Sequence, residues 1–241
     1  MTGEAAPFAD AIILAAGEST RMGGPDKLAM KVVGLPLLAW TVRAVAAAAT
    51  VRRIIVVARP DRPELAQEWW LRDFQPTVVP GGARRQDSVA AGVEAADAEV
   101  LLIHDGARPL VTPKLVDAVA QAANRFGAAV PIVAVPESMR RLVDGRIDGI
   151  LDRTNLYRSQ TPHGVQRRLL QQAYAAQDPR GPETFIDETA LLQSAGIRVS
   201  TVPGEPANLK VTLRGDEELA FALLEARAAA DLSKLAPGRA S

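Results

Sequence analysis

Three short segments combine small residues with charged side chains, and each directly follows a short apolar run. The first carries Ala15, Ala16 and Gly17, followed by two cations, Arg21 and Lys27. Small side chains let a ligand approach the backbone closely, and exposed amide groups beside cations suit a chain of phosphates. This segment therefore predicts a triphosphate-binding loop. The alternative is an ordinary glycine-rich turn with two solvated cations.

The second segment runs from Pro80 to Ser88 and brings two adjacent glycines to the end of an apolar run. Backbone groups at Gly82 and the Ser88 hydroxyl offer the few fixed donors and acceptors that recognition of one planar base requires. We therefore expect this loop to face a nucleotide base. The alternative is purely structural, because Asp87 or Ser88 would also cap a following helix well.

The third segment, His104-Asp105-Gly106-Ala107-Arg108, places a carboxylate and a guanidinium immediately after a strongly apolar run. Mg²⁺ prefers oxygen ligands and often takes one or two protein carboxylates, with phosphates and water completing its shell. Asp105 is therefore the predicted magnesium ligand. A structural ion pair between Asp105 and Arg108 is the alternative.

The elements that must position these segments alternate along the chain. Short β-branched runs predict strands at Ala11–Ala15, Arg53–Ala58, Thr77–Val79, Val100–His104, Ala128–Val133 and Arg198–Val202. Apolar residues three and four apart predict helices at Leu37–Ala48, Pro63–Arg72, Gln86–Ala96, Pro113–Arg125, Arg167–Ala176, Asp187–Ala195 and Asp216–Ala230. This alternation indicates an α/β fold with a mostly parallel sheet and helices on both faces, where ligands bind beyond the carboxyl ends of the strands.

A polar segment at about 136–153 interrupts the alternation. Asp144-Gly145 suits a tight turn between Arg140–Val143 and Ile147–Leu151, which predicts a projecting β-arm. A two-stranded arm cannot bury apolar side chains by itself, so we expect a second copy of the chain to cover it. The segment 233–241 has the composition of a flexible tail.

Composition excludes several classes of protein. The 241 residues suit a single domain, and 28 basic residues balance 28 acidic ones, so no global field attracts nucleic acid or an anionic membrane. The chain has no cysteine, no apolar stretch of membrane-spanning length and no secretory leader pattern, so a cytoplasmic location is expected. A dinucleotide-binding oxidoreductase is disfavoured, because no G-x-G-x-x-G follows the first strand and Arg59 ends the second.

Five motifs in order give a specific resemblance. They are Leu-Ala-Ala-Gly-x-x-x-Arg-Met, Gly-Gly-x-x-Arg-Gln-Asp-Ser-Val, His-Asp-Gly-Ala-Arg-Pro, Asp-Arg-x-x-Leu-x-x-x-Gln-Thr-Pro and Asn-Leu-Lys-Val-Thr. The set, spread from Ala11 to about Leu224, resembles the 2-C-methyl-D-erythritol 4-phosphate cytidylyltransferases of the non-mevalonate isoprenoid pathway. The resemblance implies a Rossmann-like nucleotidyltransferase domain, CTP and a polyol phosphate as substrates, Mg²⁺, and a homodimer formed through the arm.

The resemblance also assigns residues by position. It implies cytidine binding by Ala15, Ala16, Gly17, Gly82 and Ser88, triphosphate binding by Arg21 and Lys27, a cation near the reacting phosphate at Lys210, and Mg²⁺ binding by Asp105. The polyol phosphate would lie near Arg108, Ser138, Arg153, Thr161 and Thr212.

Three residues depart from the family pattern, and they bear on the acceptor. Ser138, Ile186 and His163 stand where the family usually carries Thr, Thr and Gln. A ribitol 5-phosphate cytidylyltransferase therefore remains an alternative with the same chemistry. A catalytically silent nucleotide-binding regulatory dimer is the alternative of another class, although binding alone would tolerate fewer of these cations.

Overall fold

The computed structural model describes residues 6–17 and 26–235. Twelve strands and seven helices follow one another along the described chain, with short 3-10 turns at Lys27–Ala29 and Pro63–Gln67. The strands are β1 Ala9–Ala15, β2 Lys31–Val32, β3 Leu35–Pro36, β4 Val51–Ala58, β5 Thr77–Pro80, β6 Val100–Asp105, β7 Ala128–Ala134, β8 Met139–Val143, β9 Arg146–Leu151, β10 Tyr157–Ser159, β11 His163–Gln166 and β12 Ser200–Pro203. The helices are α1 Leu37–Ala46, α2 Trp69–Arg72, α3 Arg85–Ala95, α4 Pro113–Phe126, α5 Arg167–Ala176, α6 Glu188–Ser194 and α7 Asp216–Leu235.

Eight strands form the central sheet in the order β10-β7-β11-β6-β1-β4-β5, with β12 paired to β7. The pairs of β1 with β4 and β6, of β4 with β5 and of β7 with β12 are parallel, whereas β10 and β11 run antiparallel to their neighbours. The prediction of a mostly parallel α/β sheet is confirmed. The carboxyl ends of β1, β4, β5 and β6 consequently lie at one edge.

Apolar side chains on both faces of the sheet explain the alternation of strand and helix. Ile13 of β1 belongs to the core that α1 and α4 cover, while Ile12 belongs to the opposite core beneath α3, α5 and α6. Both side chains are fully buried. A strand buried on both faces needs such a continuous apolar run, because neighbouring side chains point to opposite faces. A third cluster packs α7 against Leu110 and Val32.

The predicted arm is present as the hairpin of β8 and β9. Its turn residues, Asp144 and Gly145, both have positive φ values of 49° and 75°, as a two-residue hairpin turn requires. Leu142, Ile147 and Ile150 are 61%, 68% and 76% exposed in the single chain. The arm therefore projects with apolar side chains uncovered.

Three predictions about elements need correction. The predicted helix Pro63–Arg72 divides at Glu68, whose extended backbone (φ −60°, ψ 128°) separates a 3-10 turn from α2. The break lets both Leu65 and Trp70 reach the core, although they would lie on different faces of a continuous helix. Strands β2, β3, β10 and β11 were not predicted. Finally, α7 continues to Leu235, so the first residues of the predicted tail are helical; residues 236–241 lie outside the described residues.

Candidate active site

A cleft of about 640 Å³ opens at the carboxyl edge of the sheet, between the loops that follow β1, β4, β5 and β6. This volume is typical of a small-molecule site. Its walls include the following residues of the predicted site: Ala16, Gly17, Lys27, Gly82, Ser88, Asp105, Lys210 and Thr212. Four of the five motifs thus contribute to one cleft. Three of them follow parallel strands, whose carboxyl ends meet at the same edge of the sheet.

Asp105 ends β6 and lies among three cations. The Lys210 Nζ atom is 2.9 Å from Asp105 Oδ2, and the Nε atoms of Arg85 and Arg108 lie 3.6 Å from its two carboxylate oxygens. Burial by itself would raise the pKa of Asp105, but the charges of Lys210 and Arg85 hold it well below the usual range. The carboxylate is therefore ionised. The alternative Asp105–Arg108 ion pair exists as a contact, but Lys210 lies closer.

A buried network behind Asp105 fixes its backbone. The Asp105 amide donates to Thr161 Oγ1 at 3.0 Å, and the Thr161 hydroxyl lies 3.0 Å from His104 Nδ1. Burial lowers the pKa of His104 to about 4, so its ring is neutral; Nε2 then donates to the Arg108 carbonyl oxygen at 3.3 Å. Thr161, a predicted substrate-binding residue, is 3% exposed, and its hydroxyl is engaged in this support.

The loop after β5 is held closed by its own side chains. The Gly82 amide donates to Ser88 Oγ at 3.1 Å, and the Asp87 carboxylate accepts from the Arg84 amide at 3.0 Å. Asp87 therefore caps α3, as the structural alternative proposed for it. A Cβ atom on Gly81 would lie 2.5 Å from Ala16 Cβ, so glycine is needed where the loops after β1 and β5 meet.

Lys27 also lines the cleft, and a short 3-10 turn fixes its backbone. It opens the 3-10 turn Lys27–Ala29, which Asp26 caps by accepting from the Leu28 amide at 3.0 Å. Arg62 pairs with Asp26 at 3.2 Å and steadies the cap. Arg21 lies outside the described residues. Ala15 faces a neighbouring cavity of about 220 Å³ rather than the main cleft.

The residues predicted around the polyol phosphate divide into two groups. Thr212 and Arg108 form the first group. Thr212 lines the cleft, and Arg108 Nη1 donates to the Asn208 carbonyl oxygen at 2.8 Å. Ser138 and Arg153 are exposed at the base of the arm, where Arg153 contacts the Pro136 carbonyl oxygen. Their proposed role stays a prediction.

Sequence reasoning missed two charged residues of the site, Arg85 and Glu188. Arg85 lines the cleft and contacts both Asp105 and Glu188, a buried carboxylate at the start of α6. His163 lies 2.7 Å from Glu188 through Nδ1. Arg85 stands within the second motif, so its charge was visible, but its contact with Glu188 joins positions 103 residues apart. Only the fold reveals it.

Metal-binding clusters and membrane-spanning helices are both missing from the described part of the chain. Among the residues that the structure describes, no three His, Asp or Glu side chains gather into a metal-binding group. Across residues 6–17 and 26–235, no helix combines the length and apolar character needed to cross a bilayer.

Comparison with known proteins identifies the family. The family model described as 2-C-methyl-D-erythritol 4-phosphate cytidylyltransferase matches residues 9–226. The enzyme of that name from Roseobacter denitrificans is 36% identical, over 90% of this chain and 97% of its own length. The bifunctional enzyme IspD/IspF of Anaeromyxobacter dehalogenans is 40% identical over 94% of this chain, which spans 61% of that longer protein.

Solved structures agree with the sequence match. The crystal structure of 2-C-methyl-D-erythritol 4-phosphate cytidylyltransferase from Thermus thermophilus superposes with a TM-score of 0.75 at 33% identity, covering 89% of this chain and 98% of that one. The 4-diphosphocytidyl-2C-methyl-D-erythritol synthase from Anaerococcus prevotii gives 0.77 at 26% identity, covering 91% and 99%. Since sequence and structure agree over nearly the whole length, the chain belongs to the 2-C-methyl-D-erythritol 4-phosphate cytidylyltransferase family.

Proposed function

We propose that this chain transfers the cytidylyl group of CTP to the phosphate of 2-C-methyl-D-erythritol 4-phosphate in the described cleft, as a step of isoprenoid precursor biosynthesis. One observation carries the proposal: the ionised Asp105 shares a cleft with Lys210, Arg85, Lys27 and the glycine loop, and Arg108 lies beside it. Family membership supplies the identity of the two substrates.

The reaction requires little acid–base chemistry. A phosphate monoester carries ionised oxygens near neutral pH, so one of them attacks the α-phosphorus of CTP without a general base. A bond forms between that oxygen and the α-phosphorus. The bond to the oxygen that bridges to the β-phosphate breaks, and pyrophosphate leaves with the electron pair. The barrier is repulsion between two anions, which alignment and fixed positive charge reduce.

The residues of the cleft fit separate parts of that task. The small residues Ala16, Gly17 and Gly82 leave room for the nucleoside, and the Ser88 hydroxyl keeps the glycine loop closed. Lys27, and Arg21 by its motif, would neutralise the triphosphate. Lys210 would stabilise the charge that develops at the α-phosphate, because it lines the cleft beside Asp105.

Magnesium is part of the proposal, and Asp105 fits it. An ionised carboxylate that faces a phosphate site matches the donor that Mg²⁺ prefers, and the bound ion would offset phosphate charge. Asp105→Asn should therefore raise the Mg²⁺ concentration needed for half-maximal turnover. Asp73→Asn, at an exposed site away from the cleft, serves as the control. A metal titration that is identical in Asp105→Asn and wild type would remove Asp105 from the magnesium site.

The proposal extends to the oligomeric state of the enzyme and to its location in the cell. The exposed apolar side chains of the arm support a homodimer, because a second copy would cover them. A cytoplasmic location suits an enzyme that draws on the nucleoside triphosphate pool.

The direct test offers the chain CTP and Mg²⁺ with a panel of polyol phosphates and measures pyrophosphate release. We expect 2-C-methyl-D-erythritol 4-phosphate to be the preferred acceptor. Preference for ribitol 5-phosphate would assign the same chemistry to a different substrate, for which Ser138, His163 and Ile186 are the first residues to exchange. Binding of CTP without pyrophosphate release from any acceptor would indicate a regulatory nucleotide-binding protein instead.

A further inference from the structure

Arg85 lies between the carboxylates of Glu188 and Asp105 and makes hydrogen bonds only to Glu188. Its Nη1 and Nη2 atoms donate to Glu188 at 2.5 and 3.2 Å, a two-pronged contact. Its Nε atom lies 3.6 Å from Asp105 Oδ1, which is outside hydrogen-bond distance. The guanidinium thus gives its hydrogen bonds to Glu188 and only a charge contact to Asp105.

Glu188 is built to hold that guanidinium. Its side chain is 4% exposed, and His163 Nδ1 lies 2.7 Å from Oε2. Burial alone would raise the pKa of Glu188, but the charge of Arg85 and the hydrogen bond with His163 lower it to about 2. The carboxylate is therefore charged at neutral pH, and its place at the start of α6 fixes its backbone.

The arrangement matters because a guanidinium and a carboxylate form strong two-pronged pairs whenever they can reach each other. Without Glu188, Asp105 would be the carboxylate left in an ion pair with Arg85, and the charge of Asp187 would also act on this guanidinium. Lys210 already contacts Asp105 Oδ2 at 2.9 Å, so a hydrogen bond from Arg85 to Oδ1 would occupy the carboxylate oxygen that is left for a divalent cation. Arg108, the second guanidinium at 3.6 Å, is likewise drawn to another acceptor, the carbonyl oxygen of Asn208.

We propose that Glu188 is a positioning residue: with His163 behind it, Glu188 holds Arg85 out of hydrogen-bonding reach of Asp105 and so keeps the Asp105 carboxylate available to a divalent cation. The inference rests on the proposed function, since it takes Asp105 as the magnesium ligand. It adds a residue that touches neither substrate nor metal and acts through Arg85.

The first test is Glu188→Gln, which keeps the shape of the side chain and removes its charge. We expect the Mg²⁺ concentration for half-maximal pyrophosphate release to rise roughly 10- to 100-fold, as for other residues that orient a metal ligand. Glu94→Gln is the control, because it removes an exposed ion pair between α3 and Arg180, away from Asp105. The control should leave the magnesium titration unchanged.

A second readout needs neither metal nor turnover. In a metal-free crystal structure of Glu188→Gln, an Arg85 nitrogen should lie within about 3.2 Å of an Asp105 oxygen. His163→Gln should leave the magnesium titration as in wild type, because an amide nitrogen can donate to Glu188 as the imidazole does. His163→Leu, which removes the donor, should shift the titration in the same direction as Glu188→Gln.

The double variant Arg85→Met/Glu188→Gln tests whether the effect passes through Arg85. It leaves neither of these two paired groups charged, and its Mg²⁺ requirement should return to the wild-type value or fall below it. If Glu188→Gln does not fold, Glu188→Asp replaces it. The shorter side chain keeps the charge but moves it away from Arg85 by one methylene, so the Mg²⁺ requirement should rise by a smaller factor.

Two results would overturn the proposal. One is a folded Glu188 variant with the wild-type magnesium titration and an unmoved Arg85. The other is a double variant that requires as much Mg²⁺ as the single one, since the loss would then not involve Arg85. Failure of the proposed function looks different, because wild-type protein would then release no pyrophosphate from CTP and 2-C-methyl-D-erythritol 4-phosphate at any Mg²⁺ concentration.

Discussion

Lys27 illustrates how a single charge is directed into the cleft. The Asp26 cap and the 3-10 turn fix the backbone at Lys27, and the residue lines the same cleft as Lys210. Loss of one stabilising contact to developing charge costs about 3 kcal/mol, so Lys27→Ala should lower kcat roughly 100-fold at saturating CTP. Lys114→Ala, at an exposed position on α4, should turn over normally. Wild-type kcat in Lys27→Ala would exclude this role.

The buried carboxylate of Glu188 predicts a dependence of stability on pH. Its pKa lies at about 2 in the folded chain against a usual 4.5, so the unfolded chain binds more protons between these values. Stability from this group is complete above pH 4.5 and falls as the pH drops toward 2, by up to about 1.4 kcal/mol per pH unit. Urea unfolding of wild type at about pH 5, 4 and 3.5 should show this slope.

Glu188→Gln is the comparison for that slope, because the amide does not titrate. Its free energy of unfolding will be lower at every pH, since Arg85 loses its buried partner. The informative quantity is the difference in slope between the two proteins. Parallel curves below pH 4.5 would mean that Glu188 does not carry a depressed pKa.

The residues of the site could be predicted from the sequence only where their chemistry is local. Asp105 follows a buried strand, and Lys27 follows a loop of small residues, so type and position already suggested binding of metal and phosphate. Glu188 carries no such sign. It stands at a helix start, where an acidic residue is ordinary, and its partner Arg85 lies on another helix.

At the scale of elements, the parallel strands of the central sheet were predictable and its antiparallel strands were not. The apolar runs of β1, β4 and β6 exceed what a loop would carry, because helices cover both faces of the sheet. By contrast, β11 consists of His163-Gly164-Val165-Gln166 and has no alternating or continuous apolar pattern. Its strand form comes from pairing with β6 on one side and β7 on the other. Such pairing is a property of the whole sheet.

The meeting of the loops after β1 and β5 predicts a steric effect at Gly81. A Cβ atom there would lie 2.5 Å from Ala16 Cβ, in the loop after β1, and 2.8 Å from Ser88 Oγ, in α3. Gly81→Ala should therefore lower the free energy of unfolding by about 1–3 kcal/mol, as overpacking does, and weaken CTP binding. Urea unfolding and calorimetry with CTP measure the two effects.

Gly149→Ala is the matched control for Gly81, since a Cβ atom on Gly149 would meet nothing within 4 Å. The control removes the same backbone freedom without a clash. Equal stability and equal CTP affinity in Gly81→Ala and Gly149→Ala would show that the loops can separate at no cost, and that close contact between them is not required for the nucleotide site.

At the scale of the whole molecule, the arm carries apolar side chains that the single chain leaves exposed. The hairpin of β8 and β9 forms its own two-stranded sheet, apart from the central one, and exposes Leu142, Ile147 and Ile150. A two-stranded sheet is marginally stable unless another surface covers its apolar side chains. A second chain would supply such a surface symmetrically, because each arm could cover the same site on its partner.

Assembly through the arm can be tested by replacing its exposed apolar residues with charged ones. Ile147→Asp/Ile150→Asp places two carboxylates where apolar burial would be needed, so sedimentation velocity should show a dimer for wild type and a monomer for this variant. Leu219→Asp alters a similarly exposed apolar residue on α7, at 55% exposure, and should leave the dimer intact. A dimer that survives the arm substitutions but dissociates in Leu219→Asp would move the interface to α7.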